Sequence, residues 1–138
     1  MPEGGHLEQT QIDWLTGELK AASTDKPLIL TCHHPPYSID AFHGGSEPIG
    51  TPLDGVFAAA GRMPDLVLSG HVHDYQRFTR AMDGGATLPY IVIGNGGYHN
   101  LHRLAQDAQA GADVVPEAPR HAVASAVAGA VRRSSTWR

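Results

Sequence analysis

The sequence predicts an α/β fold. Segments in which apolar residues recur every three or four positions alternate with short apolar runs of strand length, and this alternation is typical of α/β domains. The chain has 138 residues, 41% of them hydrophobic and 17% charged, which suits one globular domain. The 16 glycines and 10 prolines predict many loops between short elements.

The first pair of elements is a helix followed by a buried strand. From Leu7 to Ala22 the apolar residues fall on one helical face, and Trp14 is expected to widen that face. Residues 28–32 form an apolar run that predicts a strand. This strand must end at His33 and His34, because the following Pro35 removes a backbone donor and restricts the residue before it.

A second helix and strand follow a polar loop that extends to about Gly50. The helix is predicted from Pro52 to Gly61, with Thr51 as its N-cap. Residues 65–69 form the second buried strand, which leads directly into the sequence Gly-His-Val-His at residues 70–73.

A β-hairpin is predicted next, with strands over residues 78–82 and 88–93 and a turn at residues 83–85. The glycines around Asn95 favour a tight turn over a phosphate-binding loop. Past Leu104 the composition changes to Ala, Gly, Val and Arg, with no acidic residue from Ala118 onward. We therefore expect a domain over residues 1–104 and a disordered tail over residues 105–138.

Composition excludes several classes of function. The net charge is −4 and no Lys/Arg stripe is present, so nucleic acid is not an expected partner. No run of 18 apolar residues predicts a membrane-spanning helix, and Cys32 is the single cysteine, so no internal disulfide can form. The first residues lack a basic and an apolar region, which predicts no secretory signal in this chain and a cytoplasmic location as it stands, with the compartment of longer relatives open.

Histidines are the residues that suggest chemistry, nine in all. His71 and His73 follow the second buried strand, and His33 follows the first. The carboxyl ends of parallel strands meet at one edge of a sheet, so these three imidazoles are expected to converge on a metal ion. The competing interpretation is that they are hydrogen-bonded loop residues, and the sequence does not fully separate the role of His34 from that of His33.

Three segments carry a family resemblance: HHPPYS at residues 33–38, PDLVLSGHVHDYQR at residues 64–77, and YIVIGNGGY at residues 90–98. Together they resemble the C-terminal half of a calcineurin-like metallophosphoesterase, and most closely a purple acid phosphatase. The resemblance implies an incomplete layered sandwich of the α/β/β/α type. It implies hydrolysis of phosphate esters, monoesters in particular, with Fe, Zn or Mn as the metal.

The resemblance also implies roles for individual residues. His33 and His71 would bind one ion of a dinuclear centre and His73 the other, whereas His34 would be the variable neighbour of His33, held by the following prolines. His43, ten residues after His33, would face the substrate phosphate and either stabilise its oxygens or protonate the leaving alcohol. The competing interpretation of His43 is a solvated loop histidine before two glycines. Tyr75 and Arg77 are expected to be mainly structural, whereas His99 and His102 receive no role.

The other motifs of the family are absent from this sequence. It contains no D-x-H, no Gly-Asp pair and no G-N-H-D or G-N-H-E segment, and these supply the bridging carboxylate and remaining ligands. We therefore expect at most one ion, held by His33, His71 and His73. Half of a sandwich would also expose an apolar sheet face, which predicts self-association or docking through that face. The alternatives to a phosphatase are a non-catalytic remnant that binds a metal or a partner, and a structural domain whose histidines are satisfied by hydrogen bonds.

Overall fold

A computed structural model describes residues 5–97 and 100–105 together with the backbone of one strand at 124–127. This part of the chain contains two helices, five strands and a short 3₁₀ turn. The elements in chain order are α1 (Gln9–Ala21), β1 (Ile29–Cys32), α2 (Glu47–Ala60), β2 (Leu66–Ser69), β3 (Tyr75–Ala81), the 3₁₀ turn (Asp83–Gly85), β4 (Thr87–Ile93) and β5 (Ala124–Val127).

The strands form one mixed sheet in the order β1-β2-β4-β3-β5. Strands β1, β2 and β4 run parallel, whereas β3 is antiparallel to both β4 and β5. The predicted α/β class is confirmed. The described residues contain a single sheet, and the two-sheet sandwich stays a prediction. Because β1 and β2 are parallel neighbours, the residues that follow them meet at one edge of the sheet.

The core lies between the helices and one face of this sheet. Alternate residues of β2, β3 and β4 are buried, which is the period expected for a half-covered strand. The core side chains are Leu15, Leu19, Ile49, Leu53, Val56, Phe57, Val67, Val72, Phe78, Leu88, Tyr90 and Val92. The opposite face carries apolar side chains that stay partly exposed, among them Ile29 at 52% and Ile93 at 45%.

The boundaries of two predicted elements are corrected by the structure. Helix α2 begins at Glu47 rather than Pro52, because Ser46 serves as N-cap and its carbonyl accepts hydrogen bonds from Ile49 and Gly50. Pro52 therefore lies inside the helix and Thr51 is not its cap. Strand β3 begins at Tyr75, three residues before the predicted start, because its ladder with β4 continues to that residue.

One further expectation is confirmed and another is wrong. Gly61 ends α2 in the left-handed conformation with φ 66°, as its position predicted. Trp14 does not widen the buried face of α1, since 64% of its surface is exposed. The predicted disordered tail lies outside the described residues, apart from Ala105 and the backbone of β5. Among the described residues no helix is both long and apolar enough to cross a membrane.

Candidate metal centre

Strands β1 and β2 bring His33 and His71 together. Cys32 pairs with Ser69 at the ends of the two strands, and the Gly70 N–H donates a hydrogen bond of 3.1 Å to the His33 carbonyl. The Nδ1 atom of His71 lies 3.2 Å from Nε2 of His33. Two ligands on a tetrahedral ion with bonds of about 2.0–2.1 Å lie about 3.3 Å apart, so this spacing suits a shared metal ion.

The backbone at His71 is strained. Its φ of 59° is the only positive value at a non-glycine residue in the described part of the chain. The Val72 N–H donates to the Gly70 carbonyl at 2.7 Å, which closes a three-residue turn around His71. Such turns are rare and cost on the order of 1–3 kcal/mol, and strain of this kind concentrates at functional sites. The turn directs His71 toward His33 instead of letting the chain leave β2 in an extended conformation.

Gly94 allows a second segment to press against this turn. A Cβ atom placed on Gly94 would lie 1.9 Å from the Val72 carbonyl oxygen, so only glycine fits there without movement. The end of β4 thereby supports the histidine turn from one side. This close approach is the structural reason for a glycine at this position.

The structure adds His34 to the His33 and His71 pair. One ligand atom of each of these three histidines lies within 4.8 Å of the others. The ring centroids are 4.3 Å apart for His34 and His71, and 4.8 Å apart for His33 and His34. Imidazole nitrogens are good ligands for Zn and Fe, so the chemistry of this donor set fits the metals that the resemblance implies. The sequence analysis favours His33 over His34 as the ligand, without fully separating these two adjacent residues.

A second group of three metal-ligating side chains lies beside the first. It consists of Asp40, His43 and His102, again with one ligand atom of each within 4.8 Å of the others. The two groups are in contact, because the His43 ring centroid is 4.9 Å from that of His71. Within the second group, the ring centroids of His43 and His102 are 5.1 Å apart.

His73 is not a member of either group. Its ring packs against His102 with centroids 4.6 Å apart, and its carbonyl accepts a hydrogen bond of 3.1 Å from the His102 N–H. Of the three predicted ligands, the structure thus pairs His33 with His71 and places His73 next to the second group. His43 is the member of the second group that contacts the first, and it is half-buried against the rings of His71 and His102.

Asp40 organises the loop that carries His43. Its Oδ2 atom accepts hydrogen bonds from the backbone N–H of Phe42 at 2.9 Å and of His43 at 2.8 Å. The same oxygen lies 3.3 Å from Nδ1 of His102. The Asp40 side chain has no solvent-exposed surface, whereas that of His102 is 10% exposed. This carboxylate therefore fixes the backbone of His43 and contacts the His102 ring at the same time.

A buried polar network anchors this loop to the sheet. The fully buried Gln76 accepts a hydrogen bond of 2.8 Å from the Ile39 N–H and donates to both carboxylate oxygens of Asp74 at 2.9 Å. Burial raises the pKa of Asp74, and the hydrogen bond from Gln76 partly opposes that shift. Gln76 thus joins β3 to the loop that follows β1, a role the sequence analysis did not assign.

An ion pair ties α2 to β3 away from the histidines. Arg80 donates to the carboxylate of Asp54 from both terminal nitrogens of its guanidinium group, and the distance from Nη2 to Oδ2 is 2.7 Å. Tyr37 packs edge-on against Tyr90 beside this pair, with ring centroids 4.8 Å apart. Burial raises the pKa of both tyrosines, so they stay neutral to a more alkaline pH than an exposed tyrosine does.

Comparison with known proteins gives a distant relationship. No protein-family model matches the chain. A search of curated proteins finds "Purple acid phosphatase 21" of Arabidopsis thaliana, 33% identical over 93 residues. The matched region covers 63% of this chain and 21% of that protein, so the chain spans about a fifth of the length of the curated relative it matches. The match supports a distant, phosphoesterase-like relationship. The two metal-ligating groups add residues that could hold an ion.

Proposed function

We propose that the chain hydrolyses phosphate esters at a metal ion held by His33, His34 and His71, and that phosphate monoesters are the preferred substrates. On this proposal the chain is part of a layered metallophosphoesterase domain. The observation that carries the proposal is the meeting of these three imidazoles at the carboxyl ends of two adjacent parallel strands. The similarity to a purple acid phosphatase gives the reaction class.

Each residue of the site has a defined task in this reaction. His33, His34 and His71 would hold the ion through their imidazole nitrogens, and the strained turn at His71 keeps its ring beside His33. When bound, Zn, Fe or Mn supplies Lewis-acid chemistry that polarises the phosphoryl group and acidifies water. Exposure of His33 leaves the site open to a substrate from solvent.

His43 is the residue that we propose contacts the substrate. Its ring lies against His71, and the hydrogen bond from its backbone N–H to Asp40 fixes its place in the loop. An N–H of the imidazole then donates a hydrogen bond to a phosphoryl oxygen, where negative charge increases in the transition state. In the overall reaction, the water oxygen forms a new bond to phosphorus as the bond to the alcohol oxygen breaks. A proton from water ends on that alcohol.

The experiment measures hydrolysis of p-nitrophenyl phosphate by the full chain after chelation and after adding back Zn, Mn or Fe. We expect turnover only with metal, and loss of turnover in His71→Ala. His6→Ala is the matched control, because His6 is a histidine outside both groups whose side chain is 70% exposed. Metal-independent turnover would contradict the proposal. Metal uptake without turnover would also contradict it and would favour the non-catalytic alternative.

A further inference from the structure

The proposed function uses the buried carboxylate of Asp40 only to fix the backbone of His43, and it gives no role to His102, whose ring contacts that carboxylate. We propose that Asp40, His43 and His102 form a second metal site, specific for a divalent transition-metal ion of the Zn²⁺ class. None of the three was predicted as a metal ligand. The proposal goes beyond the function above, because it assigns a separate ion to residues that the reaction does not require as ligands.

The two carboxylate oxygens of Asp40 have different surroundings. Its Oδ2 atom is used by two backbone N–H groups and by His102, but Oδ1 is buried and has no hydrogen-bond partner within the described residues. Leaving a buried polar atom without a partner costs about 1–3 kcal/mol, and more for a charged group. A cation bound to Oδ1 removes that cost and compensates a negative charge that has no solvent exposure.

The three side chains of the second group are a donor set typical of transition-metal sites. Two imidazoles and one carboxylate are three protein ligands of the kind that bind Zn²⁺ and Fe²⁺ with positions left open for other molecules. The expectation of at most one ion depended on the lack of a carboxylate among the ligands. Asp40 supplies that carboxylate in the second group, so the reason for limiting the chain to one ion does not apply there.

Backbone contacts hold the three residues of the second group in place. Asp40 forms a β-bridge with Leu104. On either side of this bridge, the Ala41 N–H donates a hydrogen bond of 2.9 Å to the Arg103 carbonyl, and the Ala105 N–H donates one of 2.8 Å to the Ile39 carbonyl. The segment that carries His102 is therefore paired with the loop that carries Asp40 and His43. Ligands on paired backbone segments lose little further freedom when an ion binds, which increases affinity.

The site is compatible with the substrate contact proposed for His43. An imidazole has two ring nitrogens, and one can bind the ion while the other keeps its N–H for a phosphoryl oxygen. The second ion would then hold the His43 ring in position. Metal content alone tests whether the second ion binds, so a failed phosphatase assay does not decide whether the second site exists.

The experiment counts Zn²⁺ bound per chain by equilibrium dialysis and elemental analysis, with folding checked by circular dichroism. We expect two ions in the unaltered chain and in His6→Ala, one in His102→Gln, one in the His33→Ala/His71→Ala double variant, and none when the three changes are combined. The Asp40→Asn variant keeps an acceptor oxygen for the backbone N–H groups but loses the charge. We expect it to bind the second ion at least tenfold more weakly.

Two results would overturn the proposal. One is a His33→Ala/His71→Ala variant that is folded but binds no Zn²⁺, which would leave Asp40 and His102 as an ion pair without metal. The other is a His102→Gln variant that binds as many ions as the unaltered chain. If the double variant does not fold, the comparison of His102→Gln with the unaltered chain decides the question.

Discussion

Replacing Gly94 with alanine tests whether the contact between the end of β4 and the histidine turn sets the metal centre. The added Cβ would lie 1.9 Å from the Val72 carbonyl oxygen and 2.7 Å from its carbonyl carbon. A separation below 3.0 Å is essentially never seen for a real Cβ, so the two backbones must move apart by about 1 Å. Because Val72 is the neighbour of His71, this displacement changes the position of the His71 ring relative to His33.

The expected effects follow from that movement. Overpacking of a tight contact costs about 1–3 kcal/mol, so Gly94→Ala lowers the free energy of unfolding by that amount. Groups that orient a ligand change metal affinity by about 10–100-fold when altered, and we expect Zn²⁺ to bind more weakly by a factor in this range. Competition against a chromophoric chelator measures the affinity, and urea unfolding measures the stability.

Gly96→Ala is the matched control for this experiment. A Cβ on Gly96 meets only the Ile93 carbonyl oxygen at 3.8 Å, which is an ordinary van der Waals distance. We expect its Zn²⁺ affinity to equal that of the unaltered chain. The reasoning is refuted if Gly94→Ala binds Zn²⁺ as tightly as Gly96→Ala does.

Three further predictions concern stability and reactivity. Asp54→Ala leaves the largely buried Arg80 without its partner and should lower the free energy of unfolding in urea by about 2–3 kcal/mol. This is less than for a fully buried pair, because a third of the Asp54 side chain is exposed. A decrease below about 1 kcal/mol would contradict this expectation. Gly17→Ala, inside α1 with open space around its Cβ, should stabilise the chain by about 0.5–1 kcal/mol, and a decrease in the unfolding midpoint would argue against it. Burial raises the pKa of Cys32, and the hydrogen bond with Ser69 only partly opposes that shift, so the thiol stays protonated to higher pH than a free cysteine. Iodoacetamide at pH 8 should therefore label it several-fold more slowly than glutathione, and equal rates would exclude a raised pKa.

The sequence predicts local elements well because their patterns are local. The apolar period of α1, the short runs of β1 and β2 and the glycines of the hairpin turn each act within a few residues. The start of α2 is the exception. Pro52 at the first helical position and Thr51 before it would form a favourable cap, yet the helix begins at Glu47. Its N-cap, Ser46, is fixed in the loop by a hydrogen bond from its N–H to the Pro35 carbonyl.

The sequence predicts only the part of the candidate site in which the ends of paired strands determine which residues meet. Parallel pairing of β1 and β2 suffices to bring His33 beside His71. The second group depends on contacts between distant parts of the chain. His102 approaches Asp40 because residues 103–105 pair with residues 39–41, and no periodicity or spacing in the sequence indicates that pairing. The buried Gln76 is likewise recognisable only once β3 lies beside the loop.

The central claim is that imidazoles at the ends of β1 and β2 hold an ion that supports phosphate-ester hydrolysis. The most direct test measures metal content and p-nitrophenyl phosphate turnover on the same samples of the full chain, titrated with Zn²⁺ after chelation. We expect turnover to rise in proportion to the amount of bound ion. In His33→Ala, we expect the chain to lose both the turnover and one bound ion. Turnover that stays constant as the ion content increases, or that persists in His33→Ala, would contradict it.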